Sequence, residues 1–315
     1  MIYTVTFNPA IDYIAKTDNL CFGETNRSAC EEIFFGGKGI NVSCVLKELG
    51  VDSVALGFIA GFTGKALETH LKEKGIKTDF ITLPYGFTRI NVKLKGKQIT
   101  EINGSGPKID NESLNLLFEK LDKLTSEDTL ILSGSIPSSL PADIYEQIMG
   151  KLENRNIRFV VDASGKLLVN SLKYKPFMIK PNKAELSEIF GKTLETEKEI
   201  ISCAAKLQKL GALNVLVTLG ADGAILLNEN GEIIRKPAHK IQAVNTVGAG
   251  DSMVAGFLAG FVETNNLNKA LKLGIAAGAA IMGAARFGCL SRDLEHNGLI
   301  HLVHQSVHRI LRLVE

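Results

Sequence analysis

Short, almost wholly apolar runs recur along this chain, and each is followed by an amphipathic stretch of helical period. The runs fall at about 2–7, 53–58, 129–132, 158–161, 177–179 and 215–218. They are too short for helices and rich in Val, Ile and Leu, which fits strands buried on both faces. Between them lie helical candidates at about 39–49, 63–74, 110–124, 140–154, 182–190 and 196–210. Strand–helix–strand order of this kind dictates parallel pairing with helices on both faces of the sheet, an α/β fold. In such folds ligands bind at the carboxyl ends of the strands.

Two segments break the alternation. Residues 11–35 carry strand-like runs without a helix, and residues 87–103 read as two strands joined at Lys95, Gly96 and Lys97. Two β insertions near the front of an α/β unit pair into a small second sheet, a lid over the main sheet's carboxyl ends.

Charge narrows the function. Lys plus Arg number 36 against 34 Asp plus Glu, a net of +2. That balance lacks the basic excess of a nucleic-acid footprint. The first residues, MIYTVTFNPAIDY, have no basic start before an apolar core, so they do not read as a signal peptide. No apolar run reaches the roughly 20 residues of a spanning helix. Five cysteines at long spacings, without a Cys-x-x-Cys pair, read as reduced thiols. A cytoplasmic protein is expected. A Walker A loop is missing, because Leu186 stands where its first glycine belongs before Gly191, Lys192 and Thr193. No Gly-x-Gly-x-x-Gly occurs, which disfavours a dinucleotide enzyme, and no protein-kinase signature occurs either.

Four motifs carry chemistry. Asn245-Thr246-Val247-Gly248-Ala249-Gly250-Asp251-Ser252 precedes an apolar helical stretch. Glycines there let N–H groups approach a ligand, and a helix starting near Asp251 adds its positive dipole end, making an oxyanion or phosphate site. Asp251 could accept a substrate hydroxyl proton; its plainer reading is a helix cap. Phe35-Gly36-Gly37-Lys38-Gly39-Ile40-Asn41-Val42 places a point charge and an amide among glycines. Lys180-Pro181-Asn182-Lys183-Ala184-Glu185 sets Asn182 and Glu185 three apart on one helix face, which suits Mg²⁺ through its waters; a helix cap is the plainer reading. Thr218-Leu219-Gly220-Ala221-Asp222-Gly223 is a glycine-bordered turn able to receive ribose and phosphates. Asp12, Asn26, Arg27 and Arg89 lie in the lid segments, and Ser133-Gly134-Ser135 follows a strand.

Together the chain resembles the PfkB group of the ribokinase-like carbohydrate kinases. GGKGIN is similar to that family's first signature and NTVGAGDS to its second, in the same order and spacing. The resemblance runs from Met1 to about Ala280. It implies a ribokinase-like three-layer α/β/α sandwich with a mainly parallel sheet and a small β-sheet lid, residues 1–315 forming one kinase domain. TVTFNPAIDY, GETNRS, TRINVKL, TEINGSGP and SGSIPSSLP are most similar to the branch that phosphorylates fructose 1-phosphate at its 6-hydroxyl. Tagatose-6-phosphate kinases are the nearest alternative. Intact Asp251, Lys38 and the 248–250 turn argue against a non-catalytic ligand-binding relative.

The resemblance implies a role for each matching position. Asp251 matches the general base, and the amides of Gly248, Ala249 and Gly250 match the anion hole. Asp12, Arg27, Gly37, Lys38, Asn41 and Arg89 match sugar-phosphate contacts. Lys180, Asn182, Thr218, Gly220, Ala221 and Gly223, with Gly248 and Gly250, match nucleotide contacts, and Glu185 matches the residue that organises Mg²⁺ through water. The implied ligands are ATP, Mg²⁺ and a phosphosugar, and the implied partner is a second copy through the lid, a homodimer. Residues 281–315 depart from the family pattern. There Ile300, Val303, Val307, Ile310, Leu311 and Val314 share one helical face, so an amphipathic helix is expected. His301, His304 and His308 beside it read as a polar helix edge rather than a metal site.

Overall fold

The computed structural model describes residues 1–17, 20–240 and 248–283. In chain order the strands are β1 (Ile2–Thr6), β2 (Ala10–Lys16), β3 (Cys30–Gly36), β4 (Ser53–Ala60), β5 (Lys77–Thr78), β6 (Ile81–Leu83), β7 (Arg89–Lys95), β8 (Ile99–Asn103), β9 (Thr129–Ser133), β10 (Arg158–Asp162), β11 (Met178–Ile179), β12 (Asn214–Thr218), β13 (Ala224–Leu227) and β14 (Ile233–Lys236). The helices are α1 (Lys38–Glu48), α2 (Gly61–Glu73), α3 (Asn111–Leu121), α4 (Ile144–Leu152), α5 (Gly165–Ser171), α6 (Lys183–Phe190), α7 (Glu197–Lys209), α8 (Ala249–Thr264) and α9 (Leu267–Gly283).

The main sheet runs β14-β13-β12-β11-β10-β9-β1-β4-β5, with β6 also pairing β4. It is parallel except for the antiparallel edge at β12, β13 and β14. Its strands show why three layers form. Leu130, Leu132, Phe159, Val161, Val215 and Val217 pack into one core with α3, α4, α6 and α7. The intervening Ile131, Val160 and Leu216 pack into the other, with α1, α8 and α9. Successive strand side chains point to opposite faces, so a strand that is apolar throughout needs cover on both. α8 is buried from Asp251 to Gly260. It lies close to α9: a Cβ on Gly256 would fall 2.7 Å from the Leu273 carbonyl oxygen and 2.8 Å from the Ala277 Cβ.

The small sheet runs β3-β2-β7-β8, built from the two segments that interrupt the alternation. β2 pairs antiparallel with β3 and parallel with β7, and β7 pairs antiparallel with β8. The sheet joins the main body where β3 runs through Gly36 and Gly37 into α1. Gly37 has φ 143, and a Cβ there would sit 2.6 Å from the Thr6 methyl group, so only glycine lets α1 start against β1.

Among the described residues no helix is long and apolar enough to cross a membrane. Cys21, Cys44 and Cys203 are free thiols, as expected of them. Cys30 is disulfide-bonded, which departs from the expectation of five reduced thiols. The expected tail helix with its histidines, and Asn245, Thr246 and Val247 of the second signature, lie outside the described residues.

Candidate active site

The second signature folds as a helix start. Gly248 takes a left-handed φ of 84 and α8 begins at Ala249. The first N–H groups of α8 therefore have no partner within the helix, and they sit at its positive dipole end. Asp251 stands in that first turn and is 6% exposed. The Asn41 side-chain amide, one turn into α1, donates to Asp251 Oδ2 at 2.8 Å. This ties together two signatures 210 residues apart. Burial pushes the Asp251 carboxyl up to about 6, helped by the charge of Asp162; Asn41, Lys38 and Lys180 pull the other way. Asp251 is thus ionised at neutral pH yet basic enough to take a hydroxyl proton.

Beneath it lies a second buried carboxylate. Asp162 ends β10, is 1% exposed, and meets Lys180 Nζ at 3.1 Å and Lys38 Nζ at 3.5 Å. Burial alone would raise its carboxyl, but the two ammonium groups prevail and hold it below the ordinary carboxylate value. Lys180 is drawn down by burial and held above its ordinary value by Asp162, Glu185 and Asp251. A Cβ on Gly250 would lie 3.2 Å from Lys180 Nζ, so this ammonium packs under the first turn of α8. The two lysines differ in reach: the Lys38 side chain is 41% exposed and that of Lys180 5%. Lys38 can meet an incoming anion, whereas Lys180 balances charge from below. The Lys38 stem lies against Gly134, which follows β9.

Asn182 and Glu185 form a reciprocal cap on α6. Asn182 Oδ1 accepts from the Glu185 N–H, and Glu185 Oε2 accepts from the Asn182 N–H, both at 2.8 Å. The cap is the plainer of the two sequence readings, and it leaves Glu185 Oε1 available to water. Asn182 pairs through a parallel bridge with Thr218, whose N–H reaches the Pro181 carbonyl at 3.1 Å. The fold thereby sets two sequence-distant candidate segments side by side. After Thr218 the chain makes a 3-10 turn over Gly220, Ala221 and Asp222, closed by the Leu219 N–H on the Gly223 carbonyl at 2.8 Å.

On the small sheet, Asp12 accepts from the Asn91 amide at 2.8 Å and from Lys93 Nζ at 2.9 Å. Arg89, opposite Ala10 in the register, is half-buried. Burial lowers its guanidinium, with Asp12 opposing. It donates to the carbonyls of Asn8 at 3.2 Å and Gly104 at 3.4 Å, using two of its five N–H donors. Arg27 stands apart, exposed in the turn that Asn26 closes on Cys21.

Sequence reasoning singled out neither Asp162 nor Asn91 nor Lys93. Asp162 had a signal: a carboxylate ends an apolar strand, at the edge of the sheet where ligands bind. Asn91 and Lys93 had one too, since Arg-Ile-Asn-Val-Lys alternates polar and apolar and puts three polar groups on one face.

A buried carboxylate raised toward neutrality, set at a helix N-terminus with a reachable lysine beside it, defines an α/β enzyme of the phosphoryl-transfer kind. The comparisons make the class definite. Residues 3–287 match the pfkB family carbohydrate kinase, and the chain belongs to that family. It is 45% identical to the 1-phosphofructokinase of Bacillus subtilis (strain 168), over 91% of this chain and 94% of that protein. It is 34% identical to the D-tagatose-1-phosphate kinase of Bacillus licheniformis, over 96% of this chain and all of that protein. Its fold is similar to phosphofructokinase-2 from Escherichia coli, solved in complex with substrates and products, with TM-score 0.87, 25% identity, and 99% of each chain covered.

Proposed function

We propose that the chain transfers the γ-phosphoryl group of ATP to the 6-hydroxyl of fructose 1-phosphate, giving fructose 1,6-bisphosphate and ADP. One observation carries the reading: Asp251, buried in the first turn of α8, is fixed by Asn41 and raised to about 6. The hydroxyl proton passes to Asp251 as the hydroxyl oxygen bonds to the γ-phosphorus, and the bridging oxygen leaves with ADP. The amides of Gly248, Ala249 and Gly250 stabilise charge on the transferring group. Lys38, Gly37, Asn41, Asp12 and Arg89 hold the phosphosugar, Lys38 with its reachable ammonium, whereas Arg27 stands apart from this cluster within one chain. Asn182, Thr218, Gly220, Ala221 and Gly223 frame the nucleotide, and Lys180 balances charge beneath the first turn of α8.

The residues fit Mg²⁺. The oxygens on offer are hard carboxylate donors, and Glu185 keeps Oε1 out of its cap. Glu185 would hold the ion through water. Bound there, Mg²⁺ neutralises charge on the nucleotide phosphates.

The small sheet serves as a lid on this single kinase unit, and its two faces differ. Register places Ile33, Tyr13, Val92 and Ile102 in one row across all four strands. Ile33 is 57% exposed and Ile102 59%. A solvent-facing apolar row of this kind suits a second copy of the chain, a homodimer through the lid. Ile102→Lys should shift the sedimenting species toward monomer; an unchanged dimer would place the interface elsewhere.

The tagatose-phosphate kinase among the relatives supports a second reading, the same transfer to a tagatose phosphate. ADP release with MgATP and each of fructose 1-phosphate, tagatose 1-phosphate, tagatose 6-phosphate and fructose 6-phosphate separates the two. Fastest turnover on fructose 1-phosphate, lost in Asp251→Ala, is the expected result. Preference for a tagatose phosphate would favour the second reading, and no sugar-dependent turnover would sink both.

A further inference from the structure

The small sheet buries a lysine that belongs to none of the four chemistry-bearing motifs. On β7 the side chains of Arg89, Asn91 and Lys93 alternate onto one face. Lys93 is 8% exposed, an unusual depth for an ammonium group. In the β7–β8 register it stands directly opposite Glu101, the partner that cross-strand pairing would supply. Its Nζ instead reaches 2.9 Å to Asp12 Oδ2 on β2, on the diagonal. Asn91 takes Asp12 Oδ1 at 2.8 Å, so both oxygens of this carboxylate are held. β2 then leads back through Ala10, opposite Gly36, toward Asn41, whose Oδ1 would lie 3.1 Å from a Cβ on Gly36. Asn41 in turn holds Asp251. A buried ion pair gives little net stability over an apolar pair of the same volume. The pairing is therefore better explained by what it does to Asp12.

We infer that Lys93 is a positioning and specificity residue, which fixes the Asp12 carboxylate and cancels its charge so that this face accepts a sugar already bearing a phosphate. The inference rests on the phosphosugar reading above. Asp12 keeps lone pairs for sugar hydroxyls, since each oxygen spends one on Asn91 or Lys93. Without Lys93 the same carboxylate is an uncancelled anion beside an anionic substrate.

The test is steady-state kinetics with MgATP and fructose 1-phosphate on the wild type, Lys93→Met, Lys93→Arg and the double variant Asp12→Asn/Lys93→Met. Lys93→Met should raise the sugar KM by about tenfold or more while kcat changes far less and the ATP KM stays put. Lys93→Arg should restore most of the affinity. The double variant should recover part of it, because the uncancelled charge is gone. If Lys93→Met does not fold, Lys93→Gln reads the same shift. An unchanged sugar KM with an active wild type would overturn the role of Lys93 alone. Sugar and ATP KM rising together, with no rescue by Arg, would show a merely structural lysine and overturn it as well. A wild type that turns over only unphosphorylated sugars, or none, would overturn the phosphosugar reading and this inference with it.

Discussion

Two clusters of charge, joined through Asn41 and Gly36, are built to different plans. Asp162, Lys38, Lys180 and Asp251 gather at the ends of β10 and β11 and the starts of α1 and α8. All but Lys38 are buried by the main sheet and its helices. Asp12, Asn91, Lys93 and Arg89 stand on a four-stranded sheet whose opposite face meets solvent, and they are held by strand register. In the first cluster burial dominates: desolvation makes each charge depend on the others and lifts Asp251 toward neutrality. In the second, Lys93 and Asn91 hold Asp12, and Arg89 donates to backbone carbonyls. Deep burial raises the Asp251 carboxyl, whereas strand register holds the charges of the small sheet.

The largest expected effect tests the first half of that contrast. Asp251→Asn keeps the oxygen that accepts from Asn41 and removes the base. We expect kcat to fall about 10²- to 10⁴-fold, read as initial ADP release at saturating substrates. A loss below tenfold would remove Asp251 from the chemistry.

Asp162→Asn should cost the most stability. It leaves the buried Lys180 without its carboxylate, and breaking a buried pair costs about 3–5 kcal/mol in chemical denaturation. The matched change on the small sheet, Asp12→Asn, strands Lys93 where water is nearer, and we expect about 1–2 kcal/mol. Equal losses at the two sites would erase the distinction drawn between them.

Titration sharpens the same point. The folded-state value of about 6 for Asp251 lies above its ordinary 3.8. Folding is therefore helped by protonated Asp251: its contribution is fully present below about pH 4 and is lost as pH rises through about 6. Activity runs the opposite way, with kcat/KM falling as pH drops through about 6. Asp251→Asn, although expected to be slow, should then be more stable than wild type at pH 7, by on the order of 2 kcal/mol. In Asp162→Asn a negative neighbour of Asp251 disappears, so the acid limb of kcat/KM should move to lower pH. Movement to higher pH would mean that the charge of Asp162 does not set the base.

These contrasts explain what the sequence made legible. The α/β alternation followed from apolar runs that need cover on both faces. The segments of the small sheet followed from losing that alternation, and the glycine signatures located the helix starts. What escaped was pairing. Asp162 looks like any strand-end residue until Lys38 at the start of α1 and Lys180 after β11 converge on it. Lys93 reads as the polar half of an alternating strand, and its nearest partner by register is Glu101, not Asp12. Asn182 and Glu185 were placed correctly on one helix end, yet the same spacing serves a cap and a ligand set alike.

The smallest effect calibrates the others. Lys77 Nζ lies 2.7 Å from Asp52 Oδ2, a shorter separation than either contact of Asp162, but both side chains are 56% exposed. Hydrogen bonding and charge from Lys77 hold the Asp52 carboxyl below its ordinary value. Water screens such a pair and two long side chains lose freedom in forming it. Lys77→Met should leave kcat and both KM values unchanged and move the melting temperature by no more than about 2 °C. A larger drop would mean that ion-pair distance, rather than burial, sets the strength of charge pairs in this protein. The ranking of Asp162 above Asp12 would then lose its physical basis.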